Sequence, residues 1–579
     1  MEQRSKGISG KTKYHFAYLG LLLLLCITAM LFDQLLHLER LRQMAQNGLY
    51  SSLWSIGVKA LLYALAVLGI TQMLLLVNFY LRLLAQIILF LSLACSVAFY
   101  LVEGRRTLAP DIAVVVDGLF STAALPTETF LSFWRPLGIT FIVSALLVML
   151  FSLIAGKIRR SSAKLPSTPI ILTLFFGISA LLLAPPYRGW VNEAPLYNRN
   201  ILYAVLELIN EDSLYAGKRS VPGLPVERRE DGIRHIIYIM DESILGTCLS
   251  LNGYEIPTTP FLLQNAGKLH NYGLASSSGN LSKISNIICI SGLMFDELPD
   301  SGQRGLKQAS IFDYANQAGR ESFYVDVQRA ARSNYIMPRD MRSFNYIKVF
   351  PDGQNYNLDM KAVDIVEKIV SSADSPTFIF LLKWGCHFDY QGRFNPELAY
   401  PGLRRDGFIP EAYLKALHWS VDVFFHKLFQ KLSGEDVLVF YTSDHGQSFD
   451  AKSSYPHGTV IDPPVDQATV PLLIWPFSEN AEDVFSRCGG YNPQQYNQAS
   501  HFQIFPTILT AMGYNREEVI RRFGSDLFGA PSPKRAFLSG DVFYSPSSYT
   551  TYRINDFPTI ADAKANAPAA AMTAGEAAR

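Results

Sequence analysis

The stretch His235-Ile236-Ile237-Tyr238-Ile239-Met240-Asp241-Glu242-Ser243 decides how the last two thirds of the chain are read. Its first six residues are a short, apolar, β-branched run, and the run stops at two carboxylates. A short apolar run bounded in this way reads as a strand buried on both faces. Three more such runs follow, Thr377–Leu382, Val437–Thr442 and Val470–Trp475. Patterns of helical period lie between them, among them Met360–Val370 and Tyr413–Leu432. Strands alternating with helices predict an α/β domain with a mostly parallel sheet, assigned to residues 233–556. Ligands of such sheets sit beyond the carboxyl ends of the strands, so the residues just after each run are the ones that matter.

Three strand ends carry metal-type ligands. The first gives Asp241-Glu242-Ser243, the second leads through Lys383-Trp384-Gly385-Cys386 to His387, and the third gives Ser443-Asp444-His445-Gly446. His457 follows twelve residues past His445 in Tyr455-Pro456-His457-Gly458. One acidic residue or one Asp-His pair is commonly a cap or a loop hydrogen bond. Three strand ends converging with Glu, His and Asp-His point to a metal centre, and carboxylate with imidazole suits Zn²⁺ or Mn²⁺, zinc being favoured. A nucleophile is available in Ser276-Ser277-Ser278-Gly279-Asn280-Leu281-Ser282-Lys283-Ile284-Ser285, which reads as a polar loop opening a helix. Ser282 falls near that helix N-terminus, where N–H groups favour an anion. It is either a metal-activated nucleophile or only an N-cap.

The first third is of another kind. The chain has 579 residues, too many for one ordinary domain. Its mean hydropathy of +0.14 is concentrated in five apolar runs, roughly Tyr14–Phe32, Trp54–Val77, Leu83–Val102, Leu137–Ile154 and Ile170–Pro185. Each approaches the ~20 residues that cross ~30 Å of hydrocarbon. A membrane domain of five spans over residues 1–186 is therefore expected. No small-residue cleavage site follows the first run, so a signal peptide is not the reading. Arg4, Lys6, Lys11, Lys13, Arg82, Lys157, Arg159, Arg160 and Lys164 fall on one side; Arg40, Arg42, Arg105, Arg106 and Arg135 fall on the other. This moderate bias puts the N-terminus in the cytoplasm and the residues after about 186 outside. Thr107–Ser132 is too polar for a span and reads as an interfacial helix and loop, or a plain connector. Residues 187–232 read as a linker, with a helix over Asn198–Asn210 on the membrane surface or against the next domain, and a hinge at Gly217–Pro225. The Ala-rich tail from Ala561, within residues 557–579, reads as disordered. A net charge of +1 gives no reason to expect nucleic acid as a partner. Cys248, Cys289, Cys386 and Cys488 leave room for one or two bridges in an oxidising compartment.

At these residues the sequence resembles the phosphoethanolamine transferases of bacterial inner membranes, in the alkaline phosphatase/sulfatase superfamily. The resemblance runs through Asp241-Glu242-Ser243, Ser250-Leu251-Asn252-Gly253-Tyr254, Thr258-Thr259-Pro260, Ser278-Gly279-Asn280-Leu281-Ser282, Gly385-Cys386-His387-Phe388-Asp389-Tyr390, Ser443-Asp444-His445-Gly446-Gln447-Ser448 and Tyr455-Pro456-His457-Gly458. It implies that Glu242, Ser282, Asp444 and His445 hold one zinc ion, that a second zinc can be present, and that Ser282 attacks phosphorus. His387 and His457 would bind phosphate, hold the second metal or pass protons, and Asn252 would join them in binding substrate. The donor would be phosphatidylethanolamine and the acceptor lipid A or an envelope glycan, with the catalytic domain in the periplasm. Some residues depart from the family pattern. Ser282 stands where the family has Thr, Asp241 replaces Gly, Gln447 replaces Glu, and Ser278 and Ile288 replace cysteines, so the family's disulfide across this loop is absent or rearranged. A glycerol-phosphate transferase, or a sulfatase-like phosphodiesterase, is the alternative within the superfamily. The sulfatase Cys/Ser-x-Pro-x-Arg motif does not follow Ser282. Acceptor choice is expected in Gln328–Arg342 (Arg329, Arg332, Tyr335, Arg339) and Gln391–Glu411 (Arg393, Tyr400, Arg404, Arg405), unless these are ordinary solvated surface.

Overall fold

A computed structural model of the chain describes residues 2–32, 49–76, 78–103, 127–160, 168–183, 194–209, 219–227 and 232–557; within the last range 301–303, 329–335, 337–339, 352–354, 389, 450–455, 460–461, 532–534, 541 and 543–548 are outside the description. Of the residues singled out above, Arg40, Arg42, Arg105, Arg106, Lys164, Arg329, Arg332, Tyr335, Arg339, Asp389, Tyr455 and the tail Ala561–Arg579 lie outside it. So do the start of Gly217–Pro225 and all of Thr107–Ser132 up to residue 126. The chain divides into two compact units, Met1–Leu214 and Tyr215–Arg579.

The five apolar runs fall in the helices Glu2–Phe32, Leu49–Leu75, Phe79–Glu103, Thr127–Arg160 and Thr168–Leu183. Thr127–Ser132 opens the fourth of these and is not a separate interfacial element. In the first helix Leu21, Leu25 and Ala29 are buried at four-residue spacing, while Leu19, Leu23, Ile27 and Leu31 are more than half exposed. Such apolar outer faces are at home in hydrocarbon and costly in water. Among the described residues two helical stretches, Phe79–Ala98 and Gly138–Arg160, are long and apolar enough to cross a bilayer; Phe16–Phe32, Ala60–Leu75 and Pro169–Leu183 are shorter. Polar side chains join these helices, with Gln86 Nε2 donating to Ser152 Oγ at 2.7 Å. The helix Leu196–Ile209, expected on the membrane surface or against the next domain, packs within this unit: Asn200 Nδ2 donates to Ser92 O at 3.0 Å and to Ser96 Oγ at 2.9 Å.

The second unit is built on β1 (His235–Asp241), β2 (His270–Ser276), β3 (Glu321–Asp326), β4 (Asn345–Lys348), β5 (Thr377–Leu382), β6 (Val437–Ser443), β7 (Thr469–Pro476) and β8 (Ala499–Ser500), with β9 (Ala536–Gly540) and β10 (Tyr549–Arg553) in a separate antiparallel pair. The eight-stranded order is β4-β3-β5-β1-β6-β7-β2-β8. Every pairing is parallel except those of β7, which runs against both β6 and β2. The domain is thus α/β with a mostly parallel sheet, as the alternation of runs predicted. β1, β5, β6 and β7 are buried along their whole length, as apolar runs covered on both faces require. Ile237 and Ile239 face one core with Val363, Val366 and Phe425; Tyr238 and Met240 face the other with Phe312 and Phe505. In the β1–β6 register Asp241 lies beside Ser443, which brings Glu242 and Asp444 out side by side at the carboxyl ends. The segment read as one helix over Tyr413–Leu432 is Glu411–Leu417 and Phe424–Leu432 joined by a π-helical turn, His418–Val423.

Candidate metal centre and nucleophile

Glu242, Asp444 and His445 meet at the ends of β1 and β6, and one ligand atom from each lies within 4.8 Å of the others. All three are buried. His445 Nδ1 faces its neighbour Gly446 O at 2.8 Å, so that nitrogen carries the proton and Nε2 turns into the cluster. Nε2 lies 3.3 Å from Glu242 Oε1 and 3.6 Å from Asp444 Oδ2. Asp444 Oδ1 accepts from the N–H groups of Ser243 (3.1 Å) and His445 (2.7 Å). Asp444 Oδ2, by contrast, is buried without a hydrogen-bond partner. A buried carboxylate oxygen left this way is costly. Set between a second carboxylate and an imidazole nitrogen, it fits a divalent cation, and this donor set suits zinc.

Protons hold the cluster together when no cation does. Burial and then the charge of Glu242 push Asp444 up to about 8. Burial alone would lower His445, but Asp444 and Glu242 raise it to about 9. Burial alone would likewise raise Glu242, yet the hydrogen bond and charge of His445 hold it well below the usual carboxylate range.

Ser282 enters this cluster from the helix Ser282–Ser291. Its Oγ donates to Glu242 Oε2 at 3.2 Å and lies 3.4 Å from His445 Nε2. It is the first helical residue; Leu281 occupies the cap position, so Ser282 is not the N-cap and its hydroxyl is left for the cluster. The loop before it is fixed by its own small residues. Asn280 Nδ2 donates to Thr459 O (2.8 Å) and Gln467 Oε1 (2.9 Å), and a Cβ on Gly279 would stand 2.6 Å from that of Ile284. Gly458 N donates to Asn280 O at 2.9 Å, which ties the His457 loop to the Ser282 loop.

The other two imidazoles gather beside His445. The His457 ring stacks on His445 with centroids 4.3 Å apart and lies 6.2 Å from the ring of His387. His387 is exposed, with Nδ1 2.6 Å from Phe388 O. His457 Nδ1 faces Gln447 Oε1 at 3.3 Å, and Gln447 Nε2 in turn donates to Tyr390 Oη at 2.7 Å. Asn252 goes elsewhere. Its amide donates to Gly246 O (3.0 Å) and accepts from Asn271 (2.9 Å), and it lines a polar cleft of about 460 Å³ with Thr247, Tyr254, Asn497 and Arg535.

Ser243 and His501 carry no role in the sequence analysis, and Gln328 figures there only as the first residue of the loop expected to choose the acceptor. Ser243, at φ 60°, donates its hydroxyl to Glu242 Oε1 at 2.7 Å. Gln328, just past β3, donates to Glu242 Oε2 at 3.0 Å. His501 lies buried behind the Ser282 loop, accepting from Ser278 N and bonded to Thr442 Oγ1. The position after a strand end was the available signal for Ser243 and Gln328; nothing local marks His501. All six cysteines are free, so no bridge spans this loop.

Comparison with known proteins agrees with this architecture. Residues 234–514 match the Sulfatase family model. The chain is 23% identical over 303 residues to the Kdo(2)-lipid A phosphoethanolamine 7''-transferase of Escherichia coli, covering 48% of this chain and 52% of that protein. It is also 23% identical over 299 residues to the Salmonella typhimurium protein of the same name, with the same coverage. It spans about half the length of these curated relatives. Among solved structures, the integral membrane protein lipooligosaccharide phosphoethanolamine transferase A from Neisseria meningitidis has a TM-score of 0.53 at 16% identity, covering 88% of this chain and 99% of that one, which shows a common fold. Residues 234–514 thus match the Sulfatase family, and over about half its length the chain is similar to lipid A phosphoethanolamine transferases, with whose structurally known relative it shares a fold.

Proposed function

We propose that this protein transfers phosphoethanolamine from phosphatidylethanolamine to lipid A or an envelope glycan, through a covalent intermediate on Ser282. The observation that carries the reading is the Ser282 hydroxyl, 3.2 Å from Glu242 and 3.4 Å from His445, in a buried group whose Asp444 Oδ2 has no hydrogen-bond partner. Glu242, Asp444, His445 and Ser282 are the residues that would hold zinc, which when bound makes a serine hydroxyl more acidic and draws charge from a phosphoryl group. Ser282 Oγ attacks the donor phosphorus and its proton passes to Glu242 Oε2, the carboxylate oxygen to which the hydroxyl already donates. The bond from phosphorus to the diacylglycerol oxygen breaks, and His387 or His457 supplies the proton that this oxygen needs. In the second half, the same pair takes the proton from an acceptor hydroxyl as it attacks the phosphoserine, the bond from phosphorus to Ser282 Oγ breaks, and Glu242 Oε2 returns the proton to the serine oxygen. Gln447 suits His457 to this work by fixing which ring nitrogen carries the proton.

The exposed apolar helix faces and the distribution of basic residues support five spans within residues 1–186, an inner-membrane location, a cytoplasmic N-terminus and a periplasmic catalytic domain over 233–556. The test is to incubate the full-length protein with zinc and phosphatidylethanolamine labelled on its acyl chains, beside Ser282→Ala. Native protein should gain a phosphoethanolamine adduct by intact mass and release labelled diacylglycerol, and the variant should do neither. Zinc-loaded native protein that forms no adduct and releases no diacylglycerol overturns the donor.

A further inference from the structure

Beneath the metal cluster lies a lysine with no access to solvent. Lys383 and Asp241 are both fully buried, and Lys383 Nζ lies 2.5 Å from Asp241 Oδ2. The ammonium also donates to Ser420 O at 2.5 Å and Ser420 Oγ at 3.1 Å, which occupies its three donors. Ser420 belongs to the π-helical turn His418–Val423, an irregularity found often at functional sites. Its hydroxyl passes the network on to Asp359 Oδ2 at 3.3 Å.

Each end of this network holds part of the cluster. Asp241 Oδ1 accepts the N–H of Glu242 at 2.9 Å, and Asp241 Oδ2 accepts from Tyr441 Oη at 2.9 Å. Asp359 accepts the N–H groups of Trp384 (2.8 Å) and Gly385 (3.1 Å), the turn that leads to His387. Cys386 N closes the circuit on Glu242 O at 2.9 Å. Lys383 O accepts from Gln328 Nε2 at 2.8 Å, and the same amide holds Glu242 Oε2. Packing alone does not call for these charges, because apolar residues of similar volume commonly replace a buried ion pair without loss of stability. What they add is a fixed relation between the backbone of Glu242 and the turn that carries His387.

We propose that the buried Lys383–Asp241 pair is the positioning device of the metal centre, holding Glu242 and the Trp384–His387 turn in one arrangement and thereby raising the affinity for zinc. The proposal rests on the zinc reading above. Partners that orient a ligand in this way typically contribute about ten- to a hundredfold in metal affinity.

The experiment measures zinc affinity of the full-length protein by competition with a chromophoric chelator, with the thermal midpoint of the zinc-free protein followed in parallel. Lys383→Met should weaken zinc binding by about ten- to a hundredfold. The double variant Asp241→Asn/Lys383→Gln keeps polar partners in the space, decides the matter if Lys383→Met does not fold, and should weaken zinc binding to a similar degree. A purely structural role lowers the midpoint and leaves the affinity of the folded protein alone, so native-like zinc affinity in the folded variants overturns the proposal. Failure of the native protein to bind zinc is a separate result, and removes the metal reading itself.

Discussion

Zinc uptake at neutral pH should expel close to two protons. Without metal, Asp444 titrates at about 8 and His445 at about 9, while Glu242 is ionised. At pH 7 both raised groups are therefore mostly protonated. A zinc ligand must be a carboxylate or a neutral imidazole, so each group gives up its proton when the ion enters. The sign follows directly: both values are raised, so lowering the pH fills the sites and competes with zinc. Between pH 6 and 7 affinity should rise by up to about a hundredfold per pH unit, one factor of ten for each proton, and it should level off above about pH 9. Calorimetric titration of the zinc-free full-length protein in two buffers of different ionisation enthalpy reads the proton number. Asp444→Asn removes one titrating ligand and should bring the release towards one. Stoichiometric zinc binding at pH 7 with no proton release, or an affinity unchanged from pH 6 to 8, would refute this account of how the empty cluster is neutralised.

Burial holds the His501 imidazole down at about 3, against an unfolded value of about 6.5. It is neutral in the fold, so its contribution is complete above the unfolded value and is lost as pH falls from there towards about 3. By pH 4.5 the loss is on the order of 2–3 kcal/mol; unfolding of the full chain at pH 7.5 and 4.5 should show it, and His501→Gln should shrink the difference between the two. Gly385 stands at φ +53°, and a Cβ there would strike Asp241 Oδ1 and lie 2.5 Å from Glu242 O. Gly385→Ala should cost about 2–3 kcal/mol of stability, read as a lowered thermal midpoint; an unchanged midpoint would mean that the turn relaxes freely.

The sequence by itself determined the elements whose residues are consistent along their whole length. β1, β5, β6 and β7 are built on apolar runs and buried along their whole length because the sheet is covered on both faces, and such runs are visible without any partner. The carboxylates and imidazoles after β1, β5 and β6 were legible for the same reason, since a polar residue ending a buried run stands out. The short half-exposed edge strand β4 and the bulged β2 with Gly273 at φ +69° carry no such pattern. The direction of β7 was not readable either, because an apolar run looks the same in both senses.

Only the tertiary structure decided which polar groups meet. Glu242, Ser282 and Asp444 are separated by tens to hundreds of residues, and it is the β1–β6 register, together with the helix opening at Ser282, that brings their oxygens together. Lys383 looked in the sequence like an ordinary residue between a strand and a histidine. Its partners Asp241, Ser420 and Asp359 come from three other segments of the chain, so neither spacing nor composition carries the pairing. Hydrogen bonds and charge pairs depend on distances of a few ångströms, and over long separations those distances are set by sheet order and register alone.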